Sequence, residues 1–147
     1  MTYFDTGYLV KCYLPERGFE RVRDLATTRG RIACSTFGRA ELHAALHRKL
    51  REGLLTEKAL ETVLRQLDLD ETHNLWSWLP LTDAQLTSLC AVFRALPPSV
   101  YLRTGDAIHL VTARDHGFAE IFSSDIRLIA AAPHFGLDAR DVTASSS

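Results

Sequence analysis

The stretch TYFDTGYLV, Thr2–Val10, decides how the rest of the chain is read. Thr2–Phe4 is a short run of strand-favouring residues that ends directly in Asp5. Tyr8–Leu14 then has helical character and stops before Pro15, because the residue preceding a proline avoids the helical region. A strand, an acid and a helix in immediate succession open an alternating chain. They also pose a question, since a carboxylate at the end of a buried strand is costly unless a donor or a cation compensates it.

The alternation continues outward from this start. Phe19–Thr28 is a second helix with Phe19, Val22 and Leu25 at helical spacing. RIACS, Arg31–Ser35, is an apolar run after Gly30 and reads as a strand. Phe37–Glu52 carries Leu42, Ala45, Leu46 and Leu50 on one face. Thr56 has the position of an N-cap for a helix to about Leu69, with Leu60, Val63, Leu64 and Leu67 as its stripe. Asn74–Pro80 is a strand whose Trp76 and Trp78 point to one face. Read as an internal strand, it places them in core packing rather than base stacking. Thr82 with Gln85 forms a capping box ahead of Leu86, Leu89, Cys90, Phe93 and Leu96. Thr104 or Gly105 opens a helix to His116 that Gly117 ends. Glu120–Ser123 is a strand, Asp125–Ala132 a helix limited by Pro133, and Gly136–Val142 holds a last short strand. Strands alternating with helices predict an α/β fold with a parallel sheet covered on both faces. Residues 1–143 are expected to form a single domain, and 144–147 a disordered tail.

Composition narrows the function classes. The chain has 147 residues, 46% hydrophobic and 24% charged, with a formal net charge of -1. Any nucleic-acid contact must therefore come from a local basic patch, since the average charge offers no help. Cys12, Cys34 and Cys90 are scattered, without CxxC spacing, and are expected to be buried free thiols of a reducing compartment. Neither an export signal nor a membrane-length apolar run stands out, so a cytoplasmic protein is expected.

The acids carry the chemistry. In open α/β sheets, sites form at the carboxyl ends of the strands. Asp5 ends the first strand, and Asp125 follows Glu120–Ser123. Asp106 lies in the first turn of its helix, and Glu41 lies about one turn into the helix after Arg31–Ser35. All four can face one sheet edge. Singly, Asp106 and Asp125 are also what a helix N-terminus favours, and Glu41 is an ordinary solvated helix residue. As a group, four carboxylates repel unless cations lie among them. Hard oxygen ligands at a partly open site suit Mg²⁺ or Mn²⁺.

Four blocks together resemble a known family. YFDTGYLVKCYLPE (Tyr3–Glu16), STFGRAELHAALHRKLREGLL (Ser35–Leu55), LRTGDAIHLVTAR (Leu102–Arg114) and IFSSDIRLIAAAPHFGL (Ile121–Leu137) are similar, in order and spacing, to the motifs of PIN-domain proteins, specifically the VapC toxin branch of VapBC pairs. Glu41, Asp106 and Asp125 fall on the family's acidic positions, and Ser123 on its usual Ser/Thr. Gly7 stands where many relatives have a hydroxyl, although Thr6 supplies one beside Asp5, and RTGD is looser than the usual run before the third acid. The resemblance implies a three-layer α/β/α sandwich with a parallel sheet of about five strands. It also implies a metal-dependent endoribonuclease acting on structured RNA such as tRNA or rRNA, a homodimer, and a VapB-type antitoxin partner.

On that reading Asp5, Asp106 and Asp125 hold Mg²⁺ or Mn²⁺, and Glu41 is a further ligand or a base for the attacking water. Thr6 and Ser123 order carboxylates or water. Arg39, Arg48, Arg103 and Arg127, with Lys49, are candidate RNA contacts, each also readable as a solvated surface charge. His109, one turn after Asp106, is expected to be a satisfied structural histidine at the pocket margin rather than a ligand. His43 and His47 imitate a zinc pair but lack the glutamate of a zincin. An aspartyl-nucleophile phosphatase is the rival enzyme, and Gly7 occupies the place of its second acid. The same residues also fit a PIN nuclease outside toxin–antitoxin systems, or a non-catalytic PIN-like interaction module.

Overall fold

The computed structural model describes residues 1–144. It has the expected three-layer α/β/α architecture around a five-stranded, wholly parallel sheet. In chain order the elements are β1 (Thr2–Phe4), α1 (Thr6–Tyr13), α2 (Phe19–Arg29), β2 (Ile32–Ser35), α3 (Thr36–Arg51), α4 (Glu57–Thr72), β3 (Trp76–Leu79), α5 (Asp83–Ala95), α6 (Thr104–Asp115), β4 (Glu120–Phe122), α7 (Ile126–Ala131), a 3-10 turn (Ala132–Phe135) and β5 (Asp138–Arg140). The sheet order is β3-β2-β1-β4-β5. The chain winds outward from β1 through β2 to β3, then returns to the other side for β4 and β5. That reversal at β1 and β4 opens a crevice at the carboxyl ends of the strands.

Period-two alternation divides the core. Tyr3 pairs in register with Ala33 and Ile121 and points to the face covered by Leu89, Ile108, Val111 and Leu128. Phe4 pairs with Phe122 and points to the opposite face, with Tyr8, Leu9, Val22, Leu42, Leu46 and Leu67. Each fully buried aliphatic or aromatic side chain contributes about 1.5–3 kcal/mol. Strands of three or four residues are therefore held mainly by the helices on both sides.

Several boundaries differ from expectation. Helix α1 starts at Thr6 rather than Tyr8, because Asp5 is itself the N-cap and accepts from Tyr8 N at 2.8 Å. Helix α4 runs to Thr72, past Leu69, since nothing stops it before Asn74 takes a left-handed φ of 57°. Helix α7 is shorter than Asp125–Ala132, with Asp125 outside it as cap. The Thr82–Gln85 capping box is present.

Strand β3 is an edge of the sheet, not an internal strand. Its Trp76 is nonetheless buried in the core, while half-buried Trp78 donates from Nε1 to Glu71 Oε1 at 2.8 Å. Only Cys34 is a buried thiol; Cys12 is half-buried and Cys90 exposed, because Cys90 lies off the inward stripe of α5. Of the expected tail, Ala144 is placed, its carbonyl accepting from Arg21 Nη1 at 2.8 Å, and 145–147 lie outside the described residues. Among the described residues no helix is long and apolar enough to cross a membrane.

Candidate functional site

A cavity of about 320 Å³ opens at the carboxyl ends of β1, β2 and β4, and Asp5, Thr6, Gly7, Glu41, Arg103, Asp106, His109, Ser124 and Asp125 line it. The four acids singled out in the sequence therefore share one pocket. They arrive there by different local devices.

Asp5 is delivered by β1 and is only 6% exposed. One carboxylate oxygen caps α1 through Tyr8 N, and the other accepts from Ser123 Oγ. Ser123 Oγ in turn accepts from Asp125 N at 2.9 Å, tying the end of β4 to the end of β1. Burial raises the Asp5 pKa above the usual carboxylate range, and the Ser123 and Tyr8 donors offset this only in part. No guanidinium or ammonium lies within bonding distance of it among the described residues.

Glu41 projects from the second turn of α3 and is the acceptor of a small buried network. Thr6 Oγ1 donates to its Oε2 at 2.6 Å, and His109 Nε2 lies 2.9 Å from the same oxygen. The other side of the His109 ring faces Tyr3, with Nδ1 at 3.1 Å from the phenolic oxygen, which also accepts from Ser35 N at 3.1 Å. Burial opposes charge on Glu41, yet His109, Thr6 and the nearby Arg103 hold its pKa below the usual value. Burial likewise opposes a proton on His109, but its surroundings hold its pKa above the ordinary imidazole value. Tyr3 and Cys34 are themselves pushed up by burial and stay neutral near pH 7, so Glu41 is the charge that holds the proton.

Two glycines make this packing possible. A Cβ on Gly38 of α3 would sit 2.5 Å from Cys34 Sγ and 2.8 Å from His109 Cε1. A Cβ on Gly105 would meet Glu41 Oε1 at 3.0 Å, a tight approach that favours glycine at that position of RTGD. At Gly7 a Cβ would make only ordinary contact with the Asp5 carboxylate, at 3.4 Å.

Asp106 and Asp125 form the outer wall. Arg103 bridges them, with Nε 2.8 Å from Asp106 Oδ2 and Nη2 bonded both to Asp106 Oδ1, at 3.3 Å, and to Asp125 Oδ2. Asp125 also caps α7 through Arg127 N and Leu128 N, so the N-terminal reading and the pocket reading hold together. Among the described residues no three His, Cys, Asp or Glu side chains are grouped tightly enough to enclose an ion as they stand. The donor set nonetheless fits a hard divalent ion: all four acids offer oxygen, Asp5 forms no salt bridge among the described residues, and the outer pair is held by the half-exposed Arg103 guanidinium.

The other candidates separate. Arg103 is in the pocket; Arg127 lies in a recess beside it. Arg39 is away from the pocket, paired with Glu71 at 3.0 Å, and Arg48 sits in the last turn of α3. His43 and His47 are exposed. Tyr3, Gly38, Gly105 and Ser124 belong to the site or its support although no sequence pattern marks them. The spacing of His109 one turn after Asp106 is the one signal in the sequence that points to the buried network.

A family model described as PIN domain matches residues 2–133. No curated protein matches the chain. Among solved structures, a chain in the crystal structure of VapBC2 from Rickettsia felis bound to a DNA fragment from their promoter is similar, with 14% sequence identity, a TM-score of 0.68, and coverage of 96% of this chain and 98% of that one. At that identity the likeness is one of fold.

Proposed function

The chain belongs to the PIN domain family, and from that premise we propose that it is a Mg²⁺- or Mn²⁺-dependent endoribonuclease, the toxin half of a VapBC-type pair. The observation that carries the reading is the convergence of Asp5, Glu41, Asp106 and Asp125 on one pocket, with Asp5 buried and in no salt bridge among the described residues. Asp5, Asp106 and Asp125 are the residues to hold the ion. When bound, the ion supplies Lewis acidity toward water and the phosphoryl oxygens.

The chain's own residues do the rest. Glu41 is kept ionised by His109 and Thr6 on Oε2, which leaves Oε1 to orient an attacking water and take its proton. Ser123 fixes Asp5 against β4. Arg103, displaced from the outer acids, is placed to meet a phosphate oxygen as RNA enters. The fold likeness to a VapBC2 chain supports a VapB-type antitoxin as partner, with an antitoxin arginine competing for the acids and its helix docking on the α3–α4 hairpin. A homodimer and a tRNA or rRNA target belong to the same reading.

The test is cleavage of total RNA by the purified chain in Mn²⁺, in EDTA, and with Asp106→Asn. Cuts in Mn²⁺ that vanish in both other arms are expected. Equal cleavage by Asp106→Asn would remove the acid pocket from the mechanism, and no cleavage in any arm would favour a non-catalytic interaction module. Co-purification with an antitoxin should suppress the Mn²⁺-dependent cuts.

A further inference from the structure

Five guanidinium–ring pairs occur among the described residues, and one differs from the rest. Arg23, Arg29, Arg39 and Arg114 lie 4.8 to 5.9 Å from their ring centroids, and each is also tethered to an oxygen: Cys12 O, Glu120, Glu71, and Asp115 with Ser88. Arg127 lies closest, 4.0 Å over Tyr101, and its guanidinium has no polar partner among the described residues. An ion-paired arginine beside a ring is an ordinary surface arrangement. An untethered guanidinium 4.0 Å over a tyrosine ring keeps its charge and its outward side available.

The surroundings of this pair are unusual in the same direction. Ile126 is 79% exposed, the most exposed large hydrophobic side chain among the described residues, and Tyr101 is 59% exposed. A recess of about 290 Å³ beside the acid pocket is lined by Arg103, Ser124, Asp125, Ile126 and Arg127. Arg103, Ser124 and Asp125 also line the acid pocket, so the two spaces share a wall. A surface with one exposed apolar side chain, an untethered guanidinium over a ring and a wall shared with the acid pocket suits one kind of ligand. A phosphate alone has no use for Ile126, and an apolar peptide has none for two guanidinium groups.

We propose that this recess seats one unpaired nucleobase next to the scissile phosphate, stacked on the Arg127 guanidinium with Ile126 against its edge. Tyr101 is the positioning residue that holds the guanidinium plane. The inference rests on the endoribonuclease reading and adds a requirement to it: the nucleotide beside the cut is out of a helix. Bases stack on arginine planes as on aromatic rings, and a base in a duplex has no free face to offer. Lysine keeps the charge of arginine but not its planar face, so charge and stacking can be separated at this position.

The experiment uses an unpaired oligoribonucleotide of about eight nucleotides carrying 2-aminopurine, with Ca²⁺ replacing Mg²⁺ to slow cleavage. Binding and fluorescence quenching are followed for wild type, Arg127→Lys, Tyr101→Ala and Tyr101→Phe. All substitutions are at the surface, and melting curves check the fold. Arg127→Lys is expected to weaken binding roughly tenfold and relieve the quenching, with the salt slope unchanged because the charge remains. Tyr101→Ala should do the same to a lesser degree, and Tyr101→Phe should match wild type. Wild-type binding that neither Arg127→Lys nor Tyr101→Ala alters would overturn the base seat and leave the nuclease reading standing. A duplex of the same sequence that competes equally well would also overturn the seat. Absence of any wild-type binding, in a chain that still cuts total RNA in Mn²⁺, would overturn the seat and leave the nuclease reading standing.

Discussion

The inner and outer halves of the acid pocket are built on opposite principles. Inside, Asp5, Glu41 and His109 are held by burial, two short hydrogen-bond chains and glycines that leave no room for a methyl group. Outside, Asp106 and Asp125 share a guanidinium that is 51% exposed. The inner half cannot rearrange without disturbing the core. The outer half is a set of solvent-facing ion pairs that can exchange partners at little cost. A site that must keep a water-directing carboxylate fixed, yet admit an ion and a charged polymer, needs both.

If the contrast is right, the largest effect comes from the inner half. His109→Ala removes the donor to Glu41 and the partner of the Tyr3 hydroxyl. Breaking a fully buried pair costs about 3–5 kcal/mol, and because Glu41 is one-third exposed the expected loss is about 2–4 kcal/mol in urea unfolding. The loss should depend on pH. The folded pKa of His109 is raised, so its protonation stabilises the fold fully below about 6.5 and the contribution fades as pH rises through the folded value. Glu41 is lowered, so its contribution is present above about 4.3 and fades as pH falls through its folded value. The gap between wild type and His109→Ala should therefore narrow from pH 6.5 upward. A gap that widens with pH would mean the imidazole is neutral in the fold.

Gly38→Ala probes the same half without touching a polar group. Its Cβ would press on Cys34 Sγ and His109 Cε1. Overpacking costs about 1–3 kcal/mol, and the better helix propensity of alanine returns up to about 1. A net loss of about 1–2 kcal/mol is expected, and Cys34→Ala in the same chain should recover part of it. If Gly38→Ala melts at or above wild type, the inner half is looser than its close contacts imply.

Legibility in the sequence follows the same division. Local signals are readable: caps at Thr56 and Thr82, the stripe of α4, the stop before Pro15. Asp5 and Asp125 are readable because each lies at or just beyond a strand end, where sequence position fixes which sheet edge it serves. Asp106, which follows α5 rather than a strand, and Glu41, in the second turn of α3, are readable only when the four acids are taken together. Lateral order is not. Strands of three or four residues carry no mark of their neighbours, so β3 reads as internal when it is an edge. Exposure of Cys90 escapes the pattern because the inward stripe of α5 runs through Gln85, Leu89 and half-buried Val92, which leaves Leu86, Cys90 and Phe93 exposed beside it. The His109 network joins Tyr3, Thr6 and Glu41 across 106, 103 and 68 residues, a coincidence that only the folded sheet creates.

The smallest effect, and the sharpest test of the outer half, comes from a reciprocal pair of substitutions. Like charges on Asp106 and Asp125 would favour Asp106→Asn in the metal-free protein if nothing lay between them. Arg103 does lie between them, so that gain is replaced by the loss of one exposed ion pair, about 0–1 kcal/mol in EDTA. Arg103→Gln should cost a similar amount, now because the two acids face each other uncompensated. With Mn²⁺ the two variants part company. A ligand that binds only the folded state raises stability by mass action. Asp106→Asn loses a ligand and should lose most of the wild-type shift in melting temperature. Arg103→Gln loses a competitor and should gain a larger shift than wild type at the same Mn²⁺ concentration. Melting curves of both variants and wild type, in EDTA and in Mn²⁺, decide the matter. If Arg103→Gln shows the smaller shift, the guanidinium is a support for the acids rather than an exchangeable occupant, and the outer half is as fixed as the inner one.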